Sequence, residues 1–162
     1  IMQINDKLTL SGTIEFVAPN YRLDNGTIAL NGGNLKINED TTVASDIQHI
    51  NDSTVIVDTG KKLTYNGDVL EIGDNTLKMS GGGDFYNTGS LKLSHEDSVL
   101  KLDGISKVEH VTFGENLTDG FLDVDKNAQI QTISHTKSSK VDIADQIALT
   151  LVNSLAIPQG QT

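Results

Sequence analysis

The chain has 162 residues, no cysteine, 4% aromatic residues and a formal net charge of −10. That length is enough for one domain with a sizeable core, and the lack of cysteine excludes a disulfide scaffold and thiolate metal sites. An acidic surface with a single arginine, Arg22, excludes nucleic acid and anionic membranes as partners. No apolar run approaches the roughly 20 residues that span a bilayer, so the chain reads as not transmembrane. The segment from Ile1 to Leu10 lacks the basic start and apolar stretch of a signal peptide, so any secretion signal is expected outside this chain.

Taken in order, the elements repeat. A polar turn former is followed by two residues, then apolar, any, apolar, and a second turn signal. Asn5 precedes Leu8 and Leu10; Asn25 precedes Ile28 and Leu30; Asp52 precedes Val55 and Val57. Asp74 then precedes Leu77 and Met79, Asp97 precedes Leu100 and Leu102, and Asp119 precedes Leu122 and Val124. A weaker copy runs from Ser138 to Val141 and Ile143. The first apolar positions are separated by 20, 27, 22, 23, 22 and 19 residues.

Each interval holds further strand-like pieces, such as Leu63 with Tyr65 and Leu91 with Leu93. Their period of two is the strand signature. Turn chemistry agrees: Asn25-Gly26, Asn31-Gly32-Gly33, Asn66-Gly67, Gly81-Gly82-Gly83 and Asp103-Gly104 supply positive φ or Asx turns. Pro19 and Pro158 leave a proline-free stretch between them, as strands paired on both sides require. The reading is an all-β, single-stranded parallel β-helix (a β-solenoid) of about seven coils of about 22 residues. The crossover preference favours a right-handed wind. A sandwich or antiparallel barrel also accommodates short strands with turns, but does not require the period. Residues 1–162 form one solenoid domain, expected to be a fragment of a longer repeat protein. Segment 141–156 fits either two more strands or an amphipathic capping helix, with strands preferred.

Stacked coils would bring Asp52, Asp74, Asp97 and Asp119 into one acidic row, which makes them candidate Ca²⁺ ligands. The simpler reading is that each carboxylate caps a turn and faces water. Asp58, Asp103 and Asp125 would line a second corner. Asp123 and Asp125 flank Val124 as a conceivable acid–base pair, but an outward polar pair is the plainer reading. His49, His95, His110 and His135 form no metal-binding pair and read as surface residues. No nucleophile elbow or phosphate loop occurs, and no Thr-x-Thr array that would bind ice. The expectation is that the chain is not an enzyme, carries no catalytic or cofactor-binding residue, and takes at most Ca²⁺.

Blocks such as Thr76-Leu77-Lys78-Met79-Ser80-Gly81-Gly82-Gly83 and Gly89-Ser90-Leu91-Lys92-Leu93-Ser94 resemble the passenger regions of bacterial autotransporters and haemagglutinin-type adhesins. That resemblance is one of texture and transfers no functional residue. It implies an extracellular or cell-surface location and a structural or adhesive role, with a host or matrix glycan or protein as partner. The 27-residue interval points to Asn38–Asn51 as a loop insertion and the place to look for binding. The alternative is a carbohydrate-binding or carbohydrate-cleaving β-helix of tailspike type, for which Tyr21, Tyr65, Phe85 and Tyr86 are the available platforms; Tyr65 and Phe85 fit core positions. Open strand edges at both ends also invite end-to-end self-association.

Overall fold

The computed structural model describes residues 1–114, 120–134 and 140–153, and among these every regular element is a strand. Short apolar-x-apolar segments between Asn, Asp and Gly turns cannot bury one face alone, so the chain winds and each strand stacks on its equivalent about 21 residues earlier. The first coil holds β1 (Met2–Gln3), β2 (Lys7–Leu10) and β3 (Thr13–Phe16). The second holds β4 (Tyr21–Asp24), β5 (Thr27–Asn31) and β6 (Asn34–Ile37). The third holds β7 (Thr41–Val43), β8 (Asp46–Asn51) and β9 (Ser53–Val57). The fourth holds β10 (Lys62–Tyr65), β11 (Val69–Ile72) and β12 (Thr76–Ser80); the fifth β13 (Asp84–Asn87), β14 (Ser90–Leu93) and β15 (Val99–Asp103). The sixth holds β16 (Lys107–Phe113) and β17 (Phe121–Val124); the seventh β18 (Ala128–Ser134) and β19 (Lys140–Ile143), after which β20 (Leu149–Leu151) continues the winding.

The strands form three faces, all in parallel pairing. Face one runs β1, β4, β7, β10, β13, β16, β18, β20. Face three runs β3, β6, β9, β12, β15, β17, β19 in one seven-stranded ladder. Face two starts as a separate three-stranded ladder, β2-β5-β8, and resumes as β11, β14, β16. The long strands β16 and β18 turn the corner between faces one and two: Val108 of β16 pairs towards Phe85 of β13, and Val111 towards Leu91 of β14.

Inward positions stack like with like. On face three Ile14, Leu35, Val55, Met79, Leu102, Val124 and Ile143 are successive partners, at spacings of 21, 20, 24, 23, 22 and 19 residues. The same position is aliphatic in every coil, buried from Leu35 to Val124, partly buried at Ile14 and exposed at Ile143 at the far end, which packs a narrow interior without large rings. Tyr65 and Phe85, both 1% exposed, lie in the interior as their alternation requires, with ring centroids 6.4 Å apart.

The register corrects the phase of the repeat. Leu8 does pair with Ile28, and Leu77, Leu100, Leu122 and Val141 do follow one another. Ile28 and Val55, however, belong to different faces, and Val55 pairs with Met79, while Leu77 pairs with Ser53. The 27-residue interval therefore contains no insertion. Asn38–Asn51 holds β7 and β8, two ordinary strands of the third coil. All three faces use the same apolar-x-apolar motif, so a step from one face to the next imitates a long coil. At the far end the described part of the segment, 141–153, holds two strands, β19 and β20, joined by a turn, and no helix; residues 154–156 lie outside the described residues.

Candidate functional site

On face three the outward side chains form ion-pair rows along the axis. Thr13, Asn34, Thr54, Lys78, Lys101, Asp123 and Asp142 occupy one outward row. Asp103 and Asp125 follow one another in the adjoining row. Lys101 Nζ lies 2.8 Å from Asp123 and 2.6 Å from Asp125. Asp103 receives Lys78 at 2.6 Å and Lys126 at 3.1 Å. The bond from Lys78, with that from Lys126, holds the Asp103 carboxyl below its ordinary range against the opposing effect of burial, and the two carboxylates push the Lys101 ammonium well above its own. Asp123 and Asp125 thus share one ammonium in a charge-balanced stack, and lysines relieve the repulsion that a column of carboxylates would otherwise carry.

The row of Asp52, Asp74, Asp97 and Asp119 does not form as one column. Ser53 pairs with Leu77, so Asp52 lies level with Thr76, two positions beyond Asp74. Asp52 Oδ1 accepts the Thr76 N–H at 2.7 Å, bracing the turn of the next coil. Asp74 lies level with Asp97 by the Thr76–Val99 register, and its Oδ1 is 3.0 Å from His95 Nδ1. Asp119 lies outside the described residues. No group of three or more His, Cys, Asp or Glu side chains placed to hold a metal occurs among the described residues.

One concavity lies on face two. Its walls are β8 (Asp46, Gln48, Ile50) and the β10–β11 stretch (Asp68, Val69, Glu71), and its volume is about 560 Å³. It lies where no ladder joins consecutive coils: β8 ends one sheet and β11 begins another. Two local features account for the break. Leu30 pairs with His49 but Asn31 pairs with Asn51, so β8 bulges at Ile50. Tyr65, at the corner of the fourth coil, reaches in from β10, and its hydroxyl accepts the Ile47 N–H at 3.2 Å, an amide of β8 that therefore does not join a ladder to β11. Gly67 makes room for that phenol, since a Cβ there would lie 2.1 Å from the Tyr65 oxygen. The rim is acidic (Asp46, Asp68, Glu71), with Ile50 and Val69 exposed between the carboxylates.

His49 departs from expectation. It is 8% exposed and points inward, level with Leu30 and, one coil earlier, Leu10. The alternation of exposed Asp46 and Gln48 with buried Ile47 and His49 carried the signal. His95 is a surface residue, half exposed beside Asp74. His135 lies outside the described residues.

A smaller concavity of about 240 Å³ on face one is lined by Asn20, Arg22, Asp40, Thr41, Thr42, Lys62 and Thr64. Arg22, Thr42, Thr64 and Tyr86 are successive partners on its outward side. Tyr86 is 45% exposed, whereas Tyr21 packs on Phe16 at 5.2 Å between centroids. No family model, curated protein or solved structure matches the chain. The geometry defines the class, a parallel β-solenoid with closed-packed coils and decorated faces.

Proposed function

We propose that this chain is a structural and adhesive segment of a large secreted or surface-displayed bacterial protein. The observation that carries the reading is the uninterrupted seven-stranded ladder of face three. At about 4.8 Å per rung it makes a rod about 29 Å long over its six steps, with side chains in fixed axial rows. Such a rod holds whatever it displays at a set distance and orientation. The resemblance of its strand blocks to surface adhesins points the same way.

A second reading, carbohydrate binding, is favoured by the outward row ending at Tyr86. An exposed ring gives a sugar an apolar face to stack on, and Thr64, Thr42, Lys62 and Asp40 supply hydrogen-bonding groups alongside. An array of polysaccharides, glycans and extracellular matrix proteins, probed with the purified chain and assayed for released sugar, tests both readings. Retention of a matrix protein without released sugar, undiminished in Tyr86→Ala, supports adhesion through other faces. Glycan binding lost at least tenfold in Tyr86→Ala supports the second reading. Released sugar contradicts both binding-only accounts. Absence of any binding overturns the adhesive role.

A further inference from the structure

The solenoid interior is aliphatic over most of its length, and His49 stands in it with an unmet polar atom. Its Nε2–H donates to the Thr76 carbonyl at 3.2 Å, which leaves the Nδ1 lone pair buried without a partner. Its inward neighbours on the two preceding coils are Leu30 and Leu10. The same residue sits on β8, at the one place among the described residues where consecutive coils of a face share no ladder.

We propose that His49 is a proton-operated latch, whose neutral form closes the third coil on the fourth and whose protonated form releases β8 from β11 in mild acid. A neutral imidazole needs one acceptor, and Thr76 supplies it. An imidazolium has two donors, and the closed form buries that charge with no full hydrogen bond at Nδ1, the Thr76 and Asn51 backbone and the Asp52 charge compensating only in part. The open form offers better surroundings. Asp46 on β8, and Asp68 and Glu71 from the fourth coil, line the groove directly over the junction. Asp52 follows β8 and is engaged by Thr76; Asp74 follows β11 and is engaged by His95. The adjoining β5 carries no titratable group, and Lys78 of β12 is turned outward onto Asp103. Protonation thus favours the state in which the ring has left the stack for the carboxylates, a differential stabilisation of one state over the other.

The sign follows from burial. Desolvation holds the His49 imidazole below its ordinary value of 6.5, and the Thr76 bond, the Asp52 charge and the Asn51 backbone offset this only in part. The open chain therefore takes up a proton that the closed chain refuses. Closure is at full strength above the ordinary value of 6.5 and is lost as pH falls below it, levelling at the closed-state value. One proton bounds the effect at about tenfold in the opening equilibrium per pH unit.

The test is residue-resolved amide hydrogen exchange from pH 7.5 to 5.5, corrected for intrinsic exchange, with an NMR titration of the His49 ring. The expected result is opening of β8 and β11 that rises several-fold per pH unit below about 6.5, up to the tenfold bound, while faces one and three stay protected. His49→Gln, which keeps a donor for Thr76 without titrating in this range, should be flat, and His95→Gln should behave as the parent. A His49 ring that titrates at or above 6.5 in the folded chain overturns the proposal. So does an unchanged acid response in His49→Gln. The ring titration on the unmodified protein decides the matter even where the variant folds poorly.

Discussion

Gly89→Ala is expected to cost about 3 kcal/mol or more and to yield a chain that unfolds at far lower denaturant than the parent. A Cβ at Gly89 would lie 1.1 Å from the Asp68 carbonyl oxygen and 2.2 Å from its carbon. The obstacle is backbone, which cannot swing aside as a side chain would. Asp68 O also accepts the Ser90 N–H at 3.0 Å, so moving either strand breaks the bond that seats β14 on the coil below. Gly12 is the control: a Cβ there meets nothing within 4 Å, and no left-handed backbone is required. Gly12→Ala should be neutral or stabilise by about 0.4–1 kcal/mol through the unfolded chain. Urea titrations of the two variants beside the parent check both. Equal stability of Gly89→Ala and the parent would mean that the coils do not approach this closely.

Asn87→Leu is the second large effect, about 3 kcal/mol. Asn87 is 1% exposed, at the corner where face one turns into face two. Its Nδ2 donates to Gly89 O at 2.8 Å and to His110 O at 3.0 Å. Its Oδ1 accepts the N–H of Glu109 at 3.2 Å and, more weakly, that of His110 at 3.4 Å. One side chain therefore satisfies the backbone of the bent strand β16 in the coil above. A leucine fills the space but leaves several buried backbone groups without partners, and each such group is costly. Amide exchange at Glu109 and His110 should speed up before the global transition does. A leucine variant as stable as the parent, with those amides still protected, would contradict this account of the corner.

These two sites lie one coil beyond Tyr65, which occupies the corresponding corner: Tyr65 and Asn87 are direct partners in the ladder. The corner thus explains both the regular and the irregular parts of face two. Asn87 meets the needs of the strand above it through three contacts of its amide, and a fourth ties it to Gly89 of its own coil. Tyr65 takes one amide, Ile47 N–H, and opens a groove.

The fold was legible where local chemistry repeats. The period, the three strands per coil, the aliphatic core and the interior placement of Tyr65 and Phe85 all follow from alternation and turn residues. The phase was not, because Ile28-x-Leu30 on face two and Val55-x-Val57 on face three are the same motif and nothing local tells the faces apart. That ambiguity turned two regular strands into an apparent loop at Asn38–Asn51. The groove walled partly by Asp46, Gln48 and Ile50 does fall inside that range, but it arises from a missing ladder and a long-range tyrosine contact, neither of which leaves a mark in sequence. The same phase error put Asp52 in column with Asp74. His49 was legible in principle, since Ile47 and His49 alternate, but a polar residue at an inward position reads as a reversal of face.

The most direct test of the account is a set of distances along face three. The chain has no native cysteine, so pairs of spin labels can be placed freely. Thr13 labelled in turn with Lys101, Asp123 and Asp142 spans four, five and six rungs of one outward row. The account predicts separations of about 19, 24 and 29 Å, rising by about 4.8 Å per coil. Separations that fail to rise in that order would contradict axial stacking of parallel coils and return the chain to a sandwich or barrel.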